Sequence, residues 1–192
     1  VNNVSALAGG GIALRDVVKA NIVHNTVAQN DSTATASTAF SGQPNISNPQ
    51  PAGIVSRAHS AELGAAVSRA GNRVPASLKV NFANPYLVDT IVWQNRSFFF
   101  FGNLEADPPV YELRPITSET DPGVFWDLAV LPAGTGFLSP TYSLLTTFDA
   151  VRYTVDINGT LTQTIVVPNQ YDAGNNNITG NPDLTGAYFN GP

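Results

Sequence analysis

The sequence predicts an all-β chain built as a repetitive parallel β-solenoid, and three observations lead there. Residues 22–30 can be laid on residues 87–95, with Val23 on Val88, Val27 on Val92, Gln29 on Gln94 and Asn30 on Asn95. Each segment reads as a short strand, a polar corner, a second short strand and a closing Asn, the kind of unit that stacks on its neighbours in a solenoid. The corners carry Asn and Gly, which tolerate the tight backbone conformations a small corner needs. Only 12% of the residues are charged. Solubility therefore rests on Asn, Thr, Ser, Gln and Gly, which suits a repetitive β-structure better than a helical bundle with Lys and Glu on its outer faces. An antiparallel β-sandwich, with its own short strands and turns, stays open on these residues alone.

Taken in order, Gly9, Gly10 and Gly11 form a turn leading into a strand that points Ile12 and Leu14 inward and Ala13 and Arg15 outward. Asn25, Asn30 and Asn95 occupy corners, where the amide satisfies local backbone groups and stacks in ladders. Residues 31–50, rich in Ser, Thr, Ala, Asn and Pro, read as an exposed loop. Residues 51–57 return as a strand. Residues 60–70 read as a short helix, N-capped by Ser60 and Ala-rich behind it, with Gly64 weakening the helix. Residues 78–101 are the most apolar stretch and end in four consecutive Phe, residues 98–101. Four such residues cannot share one face of a strand, so two are expected in the core and two under a loop or against a partner. Residues 104–123 carry several Pro and most of the local acids. A β-hairpin is expected near residues 150–167, turning at Asn158-Gly159, the pair that favours a two-residue type I′ turn.

Several of these segments are similar to a known family. Gly9-Gly-Gly-Ile-Ala-Leu-Arg-Asp and Ala20-Asn-Ile-Val-His-Asn-Thr-Val-Ala-Gln-Asn-Asp resemble coils of bacterial right-handed parallel β-helix repeat proteins, of the pectate-lyase-like superfamily fold. Pro51-Ala-Gly-Ile-Val-Ser, the segment from Asn84 to Phe98, Ser139-Pro-Thr-Tyr-Ser-Leu-Leu-Thr and Asn175-Asn-Asn-Ile-Thr-Gly-Asn-Pro-Asp-Leu resemble landmarks of a large extracellular subgroup. The resemblance touches most of the chain in patches. It implies a right-handed parallel β-helix, with residues 1–192 as a single domain or as a fragment from near the C-terminal part of a longer secreted protein. Residues 31–83 and 102–150 depart from regular coils and read as excursions.

Composition narrows the function. The net charge is −5, and Lys19 and Lys79 are the only lysines, so no cation cluster exists for a phosphate backbone or an anionic membrane. Without Cys there are no thiolate metal sites and no disulfides. No apolar run reaches the roughly 18 residues of a spanning helix.

Enzymes on the resembling fold are mostly polysaccharide lyases and glycoside hydrolases. Hydrolysis would need two carboxyls flanking a glycosidic bond. Asp16, Asp31, Glu62, Asp89, Glu105, Asp107, Glu112, Asp121 and Asp127 are the candidates, and they are scattered. Glu105 and Asp107 are nearest to a pair and read as a solvated acidic loop. A lyase base would come from Arg57, Arg69, Arg73 or Arg96, none of which is marked out. Ca²⁺ would draw on Asp121, Asp127, Asp172 or Asp183, at spacings that match no calcium-loop pattern. His24 falls on Asp89 in the aligned segments and reads as a polar corner, and His59 lies beside the helix. No nucleophile elbow, Walker A loop or dinucleotide fingerprint occurs. No residue is therefore assigned a catalytic, cofactor-binding or metal-binding role, no cofactor is expected, and the reading inclines away from an enzyme.

The expectation is a secreted structural or interaction protein of the bacterial surface, a self-assembling fibre or layer component or an adhesin. The alternative is a polysaccharide-cleaving enzyme or carbohydrate-binding module, with Tyr111, Trp126 and Tyr142 as candidates for an aromatic row. Partners would be further copies, a neighbouring surface protein or a polysaccharide, and not nucleic acid.

Overall fold

The computed structural model describes residues 1–40, 43–116, 125–172 and 174–184. Across them the chain passes repeatedly over the same sheets. The first pass forms β1 (Val4–Ser5), β2 (Ile12–Leu14), β3 (Asn21–Val23) and β4 (Thr26–Ala28). The second forms β5 (Asp31–Ser32), β6 (Ile54–Arg57), α1 (Ala61–Ala70), β7 (Tyr86–Val88) and β8 (Ile91–Trp93). The third forms β9 (Arg96–Asn103), β10 (Val110–Pro115), β11 (Leu128–Leu131), β12 (Pro140–Thr141) and β13 (Leu144–Leu145). The chain then makes a hairpin of β14 (Ala150–Val155) and β15 (Leu161–Val167) before β16 (Ile178–Thr179).

The strands assemble as β1-β5-β9-β10, β11-β6-β2, β12-β7-β3, β16-β13-β8-β4 and β14-β15. Ile22 pairs with Leu87, Val23 with Val88 and Val27 with Val92 in parallel. The two segments aligned in the sequence are thus neighbours in register. Ile12, Ile54 and Leu128 form another row, and Ile91, Leu144 and Ile178 a third. Stacking equivalent positions lines up like side chains. The core follows from this, with Ile22 on Leu87, Val27 near Val92 and Leu145, and Ile54 beside Leu128, all buried in one cluster. Each such side chain contributes roughly 1.5–3 kcal/mol by leaving water.

A polar stack runs beside the apolar one. Asn3 Nδ2 donates to Asn30 Oδ1 at 2.9 Å, Asn30 Nδ2 to Asn95 Oδ1 at 2.7 Å, and Asn95 Nδ2 to Asp127 Oδ1 at 2.6 Å. The backbone N–H of each Asn donates to the same oxygen as its side chain. Room for the amides comes from glycine. A Cβ on Gly11 would lie 3.0 Å from Asn30 Nδ2, and one on Gly53 would lie 3.0 Å from Asn95 Nδ2. By register, Gly11 and Gly53 correspond to Asp127, because the residues that follow them pair as Ile12, Ile54 and Leu128. In the third pass the acid at the glycine position fills the stack itself and ends it.

The expectation of an all-β right-handed parallel solenoid is corrected. The molecule is a mixed parallel and antiparallel, multi-sheet fold with a helix. β9 and β10 pair antiparallel, as do β14 and β15. The ten-residue α1 continues as a 3-10 turn over Gly71–Arg73. The helix forms because Ser60 Oγ accepts the Leu63 N–H at 3.3 Å and Ala-rich sequence follows the cap. It buries no residue, and it is tied down at its start, where the Ser60 N–H donates to Asp16 Oδ1 at 2.6 Å.

The segments read as excursions are also mixed. Within residues 31–83, β5 and β6 belong to the parallel sheets, and within 102–150 so do β11, β12 and β13. The hairpin does not turn on a two-residue type I′ loop. Residues 156–160 intervene, only Gly159 of the Asn158-Gly159 pair has a positive φ (78°), and Asp156 Oδ1 accepts the N–H groups of Asn158 and Thr160. The carboxylate makes a wider loop stable. Of the four Phe, Phe99 is buried and the others are half-buried. Phe100 lies 5.7 Å from the Phe40 ring and 6.1 Å from that of Tyr111, and Phe101 lies 3.7 Å beneath the Arg114 guanidinium. The following strand and the 31–50 loop cover them.

Candidate functional site

β11 is the last strand of its sheet, and the hairpin lies across the space beyond it. Ile54 N–H donates to the Asp127 carbonyl and Ala58 N–H to the Leu131 carbonyl, both at 2.8 Å, so the odd-numbered residues face β6. In a parallel ladder successive residues aim their main-chain groups at opposite sides. Leu128 and Val130 therefore direct theirs away from β6, where among the described residues no further strand follows. A cleft of about 500 Å³ opens there. Its walls are β11, the turn after it at Pro132 and Ala133, Phe137, strand β14 and Val166, with Asn48 and Gln50 at one rim.

The cleft is mainly apolar, and its floor is aromatic. Trp126 and Tyr153 are buried and meet edge-on with centroids 5.3 Å apart. Trp126 Nε1 is buried and has no hydrogen-bond partner among the described residues. Tyr171 lines the cleft and also a water-sized space behind it, shared with Asp127 and Asp149. Burial pushes the Asp127 carboxyl up to about 6, against the opposing hydrogen bonds from Thr146 and Asn95. Burial, and then the charge of Asp127, push the Tyr171 hydroxyl up as well. Polar side chains reach the cleft from Arg152 and Thr154, both exposed. Apolar walls with a few polar groups on the rim are the usual chemistry of a recognition site.

A second feature lies on an outer corner. His24, Asp89, Tyr142 and Asn176 all have φ between 49° and 55°. They stack through the backbone, His24 N–H to the Val88 carbonyl at 3.2 Å, Asp89 N–H to Thr141 at 3.1 Å and Tyr142 N–H to Asn175 at 3.0 Å. Their side chains form an outward row spaced by the roughly 4.8 Å of adjacent strands. His24 Nδ1 lies 3.9 Å from Asp89 Oδ2. Beside the row Tyr86 and Ile178 are exposed, and Asp89, Tyr142 and Asn176 border a shallow basin.

The acids singled out in the sequence do not converge. Asp31 is held by Arg96 at 2.7 Å, Glu112 pairs with Arg114, and Asp16 lies 3.9 Å from the buried His59. The helix N–H from Ser60 holds the Asp16 carboxyl below its ordinary value. Glu62, Glu105, Asp107, Asp172 and Asp183 are exposed, and Asp121 lies outside the described residues. Arg57 is half-buried at the end of β6, and Arg69 and Arg73 are exposed at the end of α1. Among the described residues no group of three or more acids and histidines could hold a metal ion. Of the three proposed row aromatics, Tyr111 and Tyr142 are exposed and Trp126 is buried, so they do not form one face. Sequence reasoning missed the cleft because its walls come from residues 48 to 171, which only the folding of the hairpin brings together. Among the described residues no helix is long and apolar enough to cross a membrane. Comparison with family models, curated proteins and solved structures finds no match.

Proposed function

We propose that this chain is a structural or interaction module of the bacterial cell exterior and that a partner seats in the cleft between β11 and the hairpin. The cleft carries this reading. It joins a strand edge that among the described residues pairs with no further strand, apolar walls and a polar rim, on a chain that is only 12% charged. Localisation and the class of partner come from the sequence resemblance. The test is co-sedimentation with isolated bacterial envelopes, comparing the wild type with Ala133→Arg and Thr154→Arg, two exposed cleft residues. Binding should weaken by about tenfold or more in each variant. Equal binding by all three would remove the cleft from the interface.

A second reading is favoured by the outer corner row. An imidazole, a carboxylate, a phenol and an amide at regular spacing suit the hydroxyls of an extended glycan, with Tyr142 as a stacking surface. Binding of purified oligosaccharides, lost in Tyr142→Ala and kept in Thr154→Arg, would place carbohydrate recognition at that corner. Loss only in the cleft variant would move it to the cleft.

A further inference from the structure

Among the described residues two antiparallel ladders leave an outer strand edge, at β10 and at β15, and the two edges differ in chemistry. β10 carries Glu112 and Arg114, joined as an ion pair, and ends on Pro115. Charge and Pro are the devices by which an edge strand is kept from pairing with another chain. β15 has neither. Its seven residues are Leu-Thr-Gln-Thr-Ile-Val-Val, uncharged and mostly β-branched. The five inner ones are exposed, with Ile165 at 49% and Val166 at 48%. Among the described residues β15 pairs with β14 alone.

We propose that the free edge of β15 pairs antiparallel with the same edge of a second copy, giving a two-fold dimer with strands in the order β14-β15-β15-β14. The edge is self-complementary. Centred on Thr164, the pairing sets Thr164 opposite Thr164, Gln163 opposite Ile165, Thr162 opposite Val166 and Leu161 opposite Val167. The central Thr–Thr cross-strand pair is favourable, and no like charges face each other. A two-fold axis uses one surface patch on both copies, so it closes at a dimer rather than a filament. One strand pair buries less than a standard interface, so the dimer is weak and concentration-dependent. The paired edge lies on the opposite side of the hairpin sheet from β14, and of the β15 residues Val166 alone also lines the cleft.

The experiment is sedimentation velocity on the full chain from about 10 μM to about 1 mM, a range that brackets weak association. It is paired with amide hydrogen exchange at both ends of that range. The wild type should shift from monomer to dimer, and protection should rise in residues 161–167 and not in residues 110–115. Thr162→Lys/Thr164→Lys, both at exposed positions, should remain monomeric while keeping the wild-type circular dichroism. A wild type that stays monomeric throughout overturns the proposal. So does a dimer that gains no protection in 161–167, which would place the interface elsewhere. The exchange measurement needs no variant, so misfolding of the double-Lys chain would not shield the proposal.

Discussion

The buried amide stack and the outer corner row are built alike and do opposite things. Both repeat one position from pass to pass and both are tied through the backbone. In the stack, Asn30 and Asn95 are fully buried, and each side chain meets the next at hydrogen-bond distance. In the row, the backbone alone is tied and the side chains of His24, Asp89, Tyr142 and Asn176 differ in kind. An unmet hydrogen bond inside costs about 1–3 kcal/mol, whereas outside water meets it. Burial therefore restricts the inner position to amide or acid and leaves the outer one free to vary. The same contrast removes Asn30 and Asn95, each in an Asn-x-Ser triplet, as glycan acceptors, because their amides lie inside the stack.

The largest effect that would break this contrast is expected at Gly53. A Cβ there would lie 2.1 Å from the Asp127 carbonyl oxygen, a backbone atom that cannot step aside without parting β6 from β11. Gly53→Ala should cost more than about 3 kcal/mol, because overpacking here also disturbs the stack. Gly64→Ala is the control. Among the described residues nothing lies within 4 Å of a Cβ on Gly64, so this helix substitution should raise stability by up to about 1 kcal/mol. Urea unfolding of both variants checks the pair. Next comes Asn95→Ala, which leaves the Asn30 backbone N–H and side-chain amide without their shared acceptor and takes the Nδ2 donor from Asp127, whose bond from the residue-95 backbone N–H remains. It should cost about 3 kcal/mol, the sum of several unmet buried groups. A loss under about 1 kcal/mol would mean that the stack is incidental to the fold.

Asp127 gives the stack a pH dependence. Its carboxyl titrates at about 6 in the folded chain and at about 3.9 when unfolded. Between these values the unfolded chain has already released its proton while the folded chain keeps it, so stability falls as pH rises through this window. The fall should reach about 3 kcal/mol, most of it between pH 4 and 6. Asp127→Asn keeps an oxygen for the two Asn95 donors and cannot ionise. Its contribution should be flat over the same window, and above pH 6 the variant should be the more stable chain. Unfolding curves at pH 4, 5, 6 and 7 decide this, and parallel profiles for the two chains would show that Asp127 is not what titrates.

The stack could have been read further from the sequence than it was. The match of residues 22–30 to 87–95 gave the register, and Asn30 on Asn95 gave its inner polar position. What escaped were its two ends, Asn3 and Asp127, the latter because an Asp at a glycine position reaches the stack from the other side of the pass. The clue was present in Gly11-Ile12, Gly53-Ile54 and Asp127-Leu128, where the glycine before the aliphatic is replaced by an acid. Ser60 and the Ala-rich run behind it marked the helix, yet the fold class stayed all-β, since local capping does not reveal how an excursion packs. Asn158-Gly159 marked the hairpin but not its loop, because the Asp156 carboxylate changes the turn. The cleft is legible only in three dimensions.

The smallest effects belong to the outer row, and they sharpen the contrast by being small. His24 is exposed, its side chain at 76%, and its contact with Asp89 is 3.9 Å long. An exposed pair of this kind contributes about 0–1 kcal/mol, and salt screens it. The corner itself depends on the backbone bond from the His24 N–H to Val88, which any residue able to take the left-handed conformation keeps. His24→Asn, with the side chain best suited to that conformation, should leave stability within about 0.5 kcal/mol of the wild type. His24→Val should cost more, because a β-branched side chain is strained at a φ of 55°. If both variants lose equally, the imidazole is a structural element and the row is scaffold. If only Val destabilises, the corner needs a backbone and leaves its side chain to recognition.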